Sequence, residues 1–214
     1  MSKFTQKLSE ACLAEHARFT KSNGKQGSET DDPYVGFVGE YWKSINLNLD
    51  GLSVDDNGDR IPWSAAFVSF VVRKAGAGDK FLYADAHHHY IRQALLAAED
   101  GVAGTAYVAK RFEGYVPVVG DIVAKGRGSA KNFTWDKALA KARKNKDRNY
   151  ISHCDVVVEV GDKFIRTIGG NVDNSVTIKT WKTNKAGNLL PYVEKNSAGV
   201  ATEYPWIAVL SCRI

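Results

Sequence analysis

Beyond Gly120 the spacing of apolar residues changes from helical to strand-like, and that change confines the chain to helices first and a sheet second. Upstream, Phe4, Leu8, Cys12, His16 and Phe19 recur every three or four residues and predict an amphipathic first helix. The polar run KSNGKQGSETDDP reads as a loop. Pro33 after Asp32 then opens a second helix carrying Val35, Phe37, Val38, Tyr41, Trp42 and Ile45. A nearly continuous apolar run from Trp63 to Val72, placed behind Pro62 and closed by Gly76, predicts a central buried helix. A further helix covers His88 to Ala98 through Ile91, Leu95 and Leu96. Downstream, DIVAK, CDVVVEV, KFIRTIG, SVTIKTW and WIAVLSCRI are β-rich runs separated by Gly, Asp and Asn turns. Gly161 and Asp162 read as the tight connection of a hairpin. Helices followed by strands imply an α+β fold with N-terminal helices packed on an antiparallel sheet, not alternating βαβ units.

At 214 residues the expectation is one domain, 1–214, with a helical N-terminal part over 1–50 and a basic insertion over 125–150. No stretch approaches the roughly 18 consecutive apolar residues of a spanning helix, so membrane insertion is not expected. The N-terminal residues alternate charge with apolar side chains and lack the apolar core of a secretory signal. Cys12, Cys154 and Cys212 are widely spaced and odd in number, which suggests neither a disulfide framework nor a zinc ribbon. A net charge of +5 and an isoelectric point near 9.0 favour an anionic partner, such as nucleic acid, a membrane surface or an acidic cell-wall polymer. Much of the excess lies between Lys125 and Arg148, which also shows helical spacing through Trp135, Leu139 and Ala142. The segment reads either as a solvated insertion or as a polyanion-facing patch. No nucleic-acid reading motif accompanies it, so specific nucleic-acid binding is not expected. The acidic loop at Asp55 to Asp59 misses the ligand register of a calcium-binding EF-hand.

Three segments could carry chemistry together. Ser64 stands at the start of the central helix, where free backbone N–H groups and the positive end of the dipole can hold an oxyanion. Serine is also a common helix-start residue, and that alternative stays open. His153 opens a strand and could take a proton from a nucleophile. Asn171, brought alongside by the hairpin, could hold the imidazole in one tautomer. Cys154 is the other candidate nucleophile, but adjacent strand residues face opposite ways, so it and His153 do not easily share a pocket. Asp155 shares the face of His153 and could orient it or bind substrate amides. His87, His88 and His89 fan out on a helix and do not converge on one metal ion. Arg127, in KGRG, could hold a carboxylate through two hydrogen bonds.

The segment PWSAAFVSFVVRKAG resembles the nucleophile-bearing helix of the NlpC- and CHAP-type papain-fold amidases. VPVVGDIV is similar to the strand before their catalytic histidine, SHCDVVVEV to the strand that carries it, and IGGNV to the strand after. DDNGDRIPWSAAF, AHHHYI, GDIVAKGRG, SHCDVVVEV and IGGNVDNSV together resemble an uncharacterised bacterial family (DUF2272-like) allied to those amidases, some of whose members look like secreted antibacterial effectors. The likeness runs from about residue 15 to 180. It implies a papain-like α+β fold and cleavage of amide bonds in peptidoglycan peptides, with no cofactor and no metal. Ser64 falls on the nucleophile position, His153 on the base and Asn171 on the orienting position, with Asp155 or Cys154 as further catalytic candidates. Trp63, His87, Asp121 and Arg127 fall among substrate-binding candidates. The relatives have cysteine where this chain has Ser64. A non-catalytic papain-fold module that binds a cell-wall fragment or a partner protein is therefore the alternative to an enzyme. The implied setting is synthesis in a bacterial cytoplasm without a signal peptide, then secretion into the periplasm of a target cell. Secretion-system components and an immunity protein are the expected partners.

Overall fold

The computed structural model describes residues 1–144 and 149–214. Its α-helices are α1 (Lys3–Phe19), α2 (Tyr34–Lys43), α3 (Ser64–Ala75), α4 (His87–Glu99) and α5 (Trp135–Ala142). Its strands are β1 (Tyr107–Lys110), β2 (Ile122–Gly126), β3 (Ser152–Gly161), β4 (Phe164–Val172), β5 (Ser175–Lys182), β6 (Tyr192–Lys195), β7 (Ala201–Tyr204) and β8 (Trp206–Cys212). Six strands form one sheet in the order β1-β8-β2-β3-β4-β5, with every neighbouring pair antiparallel, and β6 pairs with β7 apart from it. The α+β layout with an antiparallel sheet thus holds.

The sheet has two covered faces because its strands alternate. Cys154, Val156, Ile168, Val176 and Leu210 point into a core built with α1, α2, α3 and α4. Val123, Val157, Ile165 and Val209 point the other way, into a second core closed by Leu189, Tyr192 and Trp206. α3 is the central helix. Ala66, Phe67, Val68, Val71 and Val72 are wholly buried, and the helix ends on Gly76 at φ 96, a left-handed conformation that suits glycine.

Several sequence expectations shift. The β3–β4 turn is Asp162–Lys163, one residue later than the Gly161–Asp162 reading, because Gly161 already pairs with Phe164. The basic segment over 125–150 is partly built into the fold. Lys125 and Gly126 lie in β2, and α5 buries Trp135, Ala138 and Ala142. Arg143 sits 3.7 Å from both Glu99 and Asp100. The end of that segment, residues 145–148, lies outside the described residues. β1 and the β6–β7 pair carried too little apolar periodicity to be read from the sequence.

Two glycines of β4 set how closely the layers approach. A Cβ on Gly170 would stand 2.5 Å from Cβ of Phe67 on α3, and one on Gly169 would overlap the Asp155 carboxylate. Gly169→Ala is therefore expected to destabilise the fold by about 1–3 kcal/mol. Gly36→Ala in α2, where a new Cβ meets nothing within 4 Å, should instead stabilise it by about 0.4–1 kcal/mol. Denaturant midpoints of the two variants should move in opposite directions.

Candidate active site

Ser64 is the first residue of α3, and its hydroxyl is not a helix cap. Trp63 occupies the cap position, and among the described residues no side chain caps the free N–H groups of this helix start. The Ser64 Oγ lies instead 2.7 Å from Nε2 of His87, the first residue of α4. Both residues are buried, so two helix starts meet through a hydroxyl and an imidazole. The other ring nitrogen, Nδ1, meets the hydroxyl of Tyr90, one helical turn further along α4. The Cys154 thiol lies near the Tyr90 hydroxyl. With the Tyr90 hydroxyl accepting from Nδ1–H, Nε2 keeps its lone pair and accepts the Ser64 proton.

Burial, and then the neighbouring His153, Arg127 and His88, hold the His87 imidazole well below its ordinary value of 6.5, so it is neutral near pH 7. The unfolded chain takes up a proton at this site as the pH falls below 6.5 while the folded chain does not. The stability His87 contributes is thus complete above pH 6.5 and erodes below it. His88 and His16 act in the same direction. Thermal unfolding midpoints should decline from about pH 6.5 downward, and His87→Gln should remove the largest part of that decline.

His153 does not reach Ser64. It shares strand parity with Val157 and so belongs to the sheet face opposite α3. There its Nε2 bonds Oδ1 of Asp155 at 2.8 Å. The Thr167 hydroxyl reaches the other Asp155 oxygen at 3.5 Å, and Trp181 Nε1 donates to Thr167 at 2.8 Å. Burial alone would raise the Asp155 carboxyl, but His153, Lys125 and Lys179 outweigh it and hold the group below the usual carboxylate range. The His153 ring meets the His87 ring edge-on, with centroids 5.3 Å apart, and its Nδ1 is buried without a partner among the described residues. The expected Ser64–His153 contact is thus replaced by Ser64–His87, and Asp155, not Asn171, holds the His153 ring.

A cleft of about 1290 Å³ exposes Ser64, His87, Arg127 and Asn171 together, walled by Ile61 and Tyr150. Asn171 sits on a β4 irregularity at φ 53. Three other candidates fall outside this group. Cys154 points into the helix-side core, and burial pushes its thiol well above the ordinary value, which disfavours the thiolate a nucleophile needs. Trp63 is buried among Phe19 and Tyr41, with its indole N–H on the Glu29 carboxylate, so its ring is core rather than cleft wall. Asp121 is wholly buried and spent on Val118 N–H, Cys212 N–H and the Tyr115 hydroxyl, where it ties β2 to β8 and the preceding loop.

Tyr90, Glu29, Lys125 and Lys179 were not anticipated. Tyr90 alone carried a signal, its three-residue spacing from His87 on a predicted helix. A family model described as "Uncharacterized protein conserved in bacteria (DUF2272)" matches residues 35–212. No curated protein and no solved structure matches the chain. Among the described residues no helix is long and apolar enough to cross a membrane.

Proposed function

The chain belongs to the DUF2272 family of uncharacterised bacterial proteins, and we propose that it is a hydrolase of amide bonds in cell-wall peptides, with Ser64 as nucleophile and His87 as base. The observation that carries this reading is the 2.7 Å contact between the Ser64 hydroxyl and His87 Nε2, at an uncapped helix start inside the cleft. His87 takes the hydroxyl proton as Oγ attacks the amide carbon. The carbonyl oxygen becomes an oxyanion facing the free N–H groups of α3. The protonated His87 then gives its proton to the departing amine, which leaves an acyl-serine for water to hydrolyse. A neutral His87 suits the first step, because only the unprotonated ring accepts a proton.

A nucleophile at the start of a buried central helix that packs on an antiparallel sheet supports the papain-like reading and the kinship with NlpC- and CHAP-type amidases. The chain differs from those amidases in having serine where they have cysteine, and in presenting a helix-borne histidine to it. The net charge of +5 favours approach to anionic murein. With that substrate, delivery into the periplasm of a competing bacterium, with secretion-system components and an immunity protein as partners, is the setting we propose.

The test is to incubate the protein with purified sacculi and analyse the soluble products by mass. Fragments with newly freed amino groups at a single bond type support the reading. Sacculi that bind the protein without releasing fragments would overturn it in favour of a binding module with the same cleft.

A further inference from the structure

On the sheet face opposite α3, a second cavity of about 400 Å³ adjoins the cleft, and Arg127, Gly128 and Asn171 border both. Lys125, Lys131, Lys179 and Arg127 line it, against Glu194 and Asp173. Lys125 and Lys131 converge on the same Glu194 carboxylate, at 3.4 and 2.7 Å. Lys125 is buried, and its ammonium lies over the Trp181 and Tyr192 rings at 5.1 and 4.6 Å. The nearby carboxylate of Asp155 hydrogen-bonds His153 and also faces Lys125 and Lys179. Among the described residues neither Arg127 nor Lys179 forms a direct ion pair, and the four cations still outnumber Glu194, Asp173 and the nearby Asp155.

Cations gathered in a concave, partly buried space, with aromatic rings beneath one of them, favour a compact anion over water. We propose that this cavity seats a carboxylate of the substrate peptide beside the amide being cut, with Arg127 and Lys179 as its contacts, so that the protein selects acidic peptides. The identity of the ligand as a peptide rests on the hydrolase reading. Binding of a carboxylate does not. A carboxylate fits better than a polyanion because the space is a pocket and not a track, and because an arginine at its rim can grip two coplanar oxygens.

The test is calorimetric titration of the full chain carrying Ser64→Ala, so that nothing is consumed, with a blocked tripeptide containing one glutamate and with the same peptide carrying glutamine. The glutamate peptide should bind about 10- to 100-fold more tightly, the scale of one charge-assisted hydrogen bond lost. Lys179→Met and Arg127→Met should each bring the two peptides towards equal affinity, the Arg127 variant with its unfolding midpoint unchanged. Equal affinities in the parent protein, no binding of either peptide, or variants that keep the preference would overturn the proposal. Inorganic phosphate binding as tightly as the glutamate peptide would also overturn it, as a general anion site. A preference for glutamate in a protein that releases nothing from sacculi would overturn the hydrolase reading alone. Release with no such preference would overturn this inference alone.

Discussion

Ser64→Ala is expected to lower fragment release from purified sacculi by at least about a thousandfold while the thermal midpoint stays near that of the parent protein. The loss follows from removing the atom that forms the acyl bond. The fold survives because the hydroxyl caps no helix and, among the described residues, its single side-chain partner is His87. His87→Ala should cost a comparable factor, and the double variant little more, since a nucleophile and its base act as one unit. His153→Ala separates the two possible bases. With Ser64 on His87 and His153 turned to the opposite sheet face, the His153 change should cost less activity than the His87 change. A larger loss for His153→Ala would move the base to the strand, and full release by Ser64→Ala would remove the serine mechanism.

The largest stability effect is expected at Asp155. Its carboxylate accepts from His153 and Thr167 within a space that is almost wholly buried, and it stands near the ammoniums of Lys125 and Lys179. Asp155→Ala leaves the His153 N–H unpaired and removes the charge that faces those cations. Breaking a buried pair in this way costs about 3–5 kcal/mol, which for a chain of this size lowers the thermal midpoint by roughly 6–20 °C. Asp155→Asn keeps an acceptor for His153 and should recover part of the loss. The folded carboxyl sits below its ordinary value of 3.8, so its contribution is present above that pH and is lost as the pH falls through the folded value. This window opens at pH 3.8 whereas that of His87 opens at 6.5, and acid unfolding followed in the two variants should separate their onsets. An Asp155→Ala midpoint equal to that of the parent would mean that the pair contributes nothing.

Much of the architecture was legible because it depends on local period. Three- and four-residue spacing marked α1 to α4, and two-residue spacing on β3 placed His153 with Asp155 and turned Cys154 the other way. The hairpin also brought Asn171 and His153 to one cavity, as its register required. The β3–β4 turn was off by one residue because Gly161, though a good turn former, still had a partner in Phe164. Asp121 and Trp63 were misread for a common reason. Polar and aromatic residues beside a motif look like ligands in sequence, whereas here each satisfies a buried neighbour.

The partner of Ser64 was not legible. It depends on how the start of α4 docks against the start of α3, across a loop without periodicity, and on which sheet face looks towards that junction. The same holds for the cation-lined cavity, whose lysines come from β2 and β5 and from the residues before α5, and whose Glu194 comes from the separate β6–β7 pair. Side-chain spacing along the chain determined the elements, their faces and the buried central helix. The meeting of hydroxyl, imidazole and ammonium groups was decided by the packing of two layers on a sheet, because contacts between residues far apart in sequence are chosen by shape and burial and leave no repeat to read.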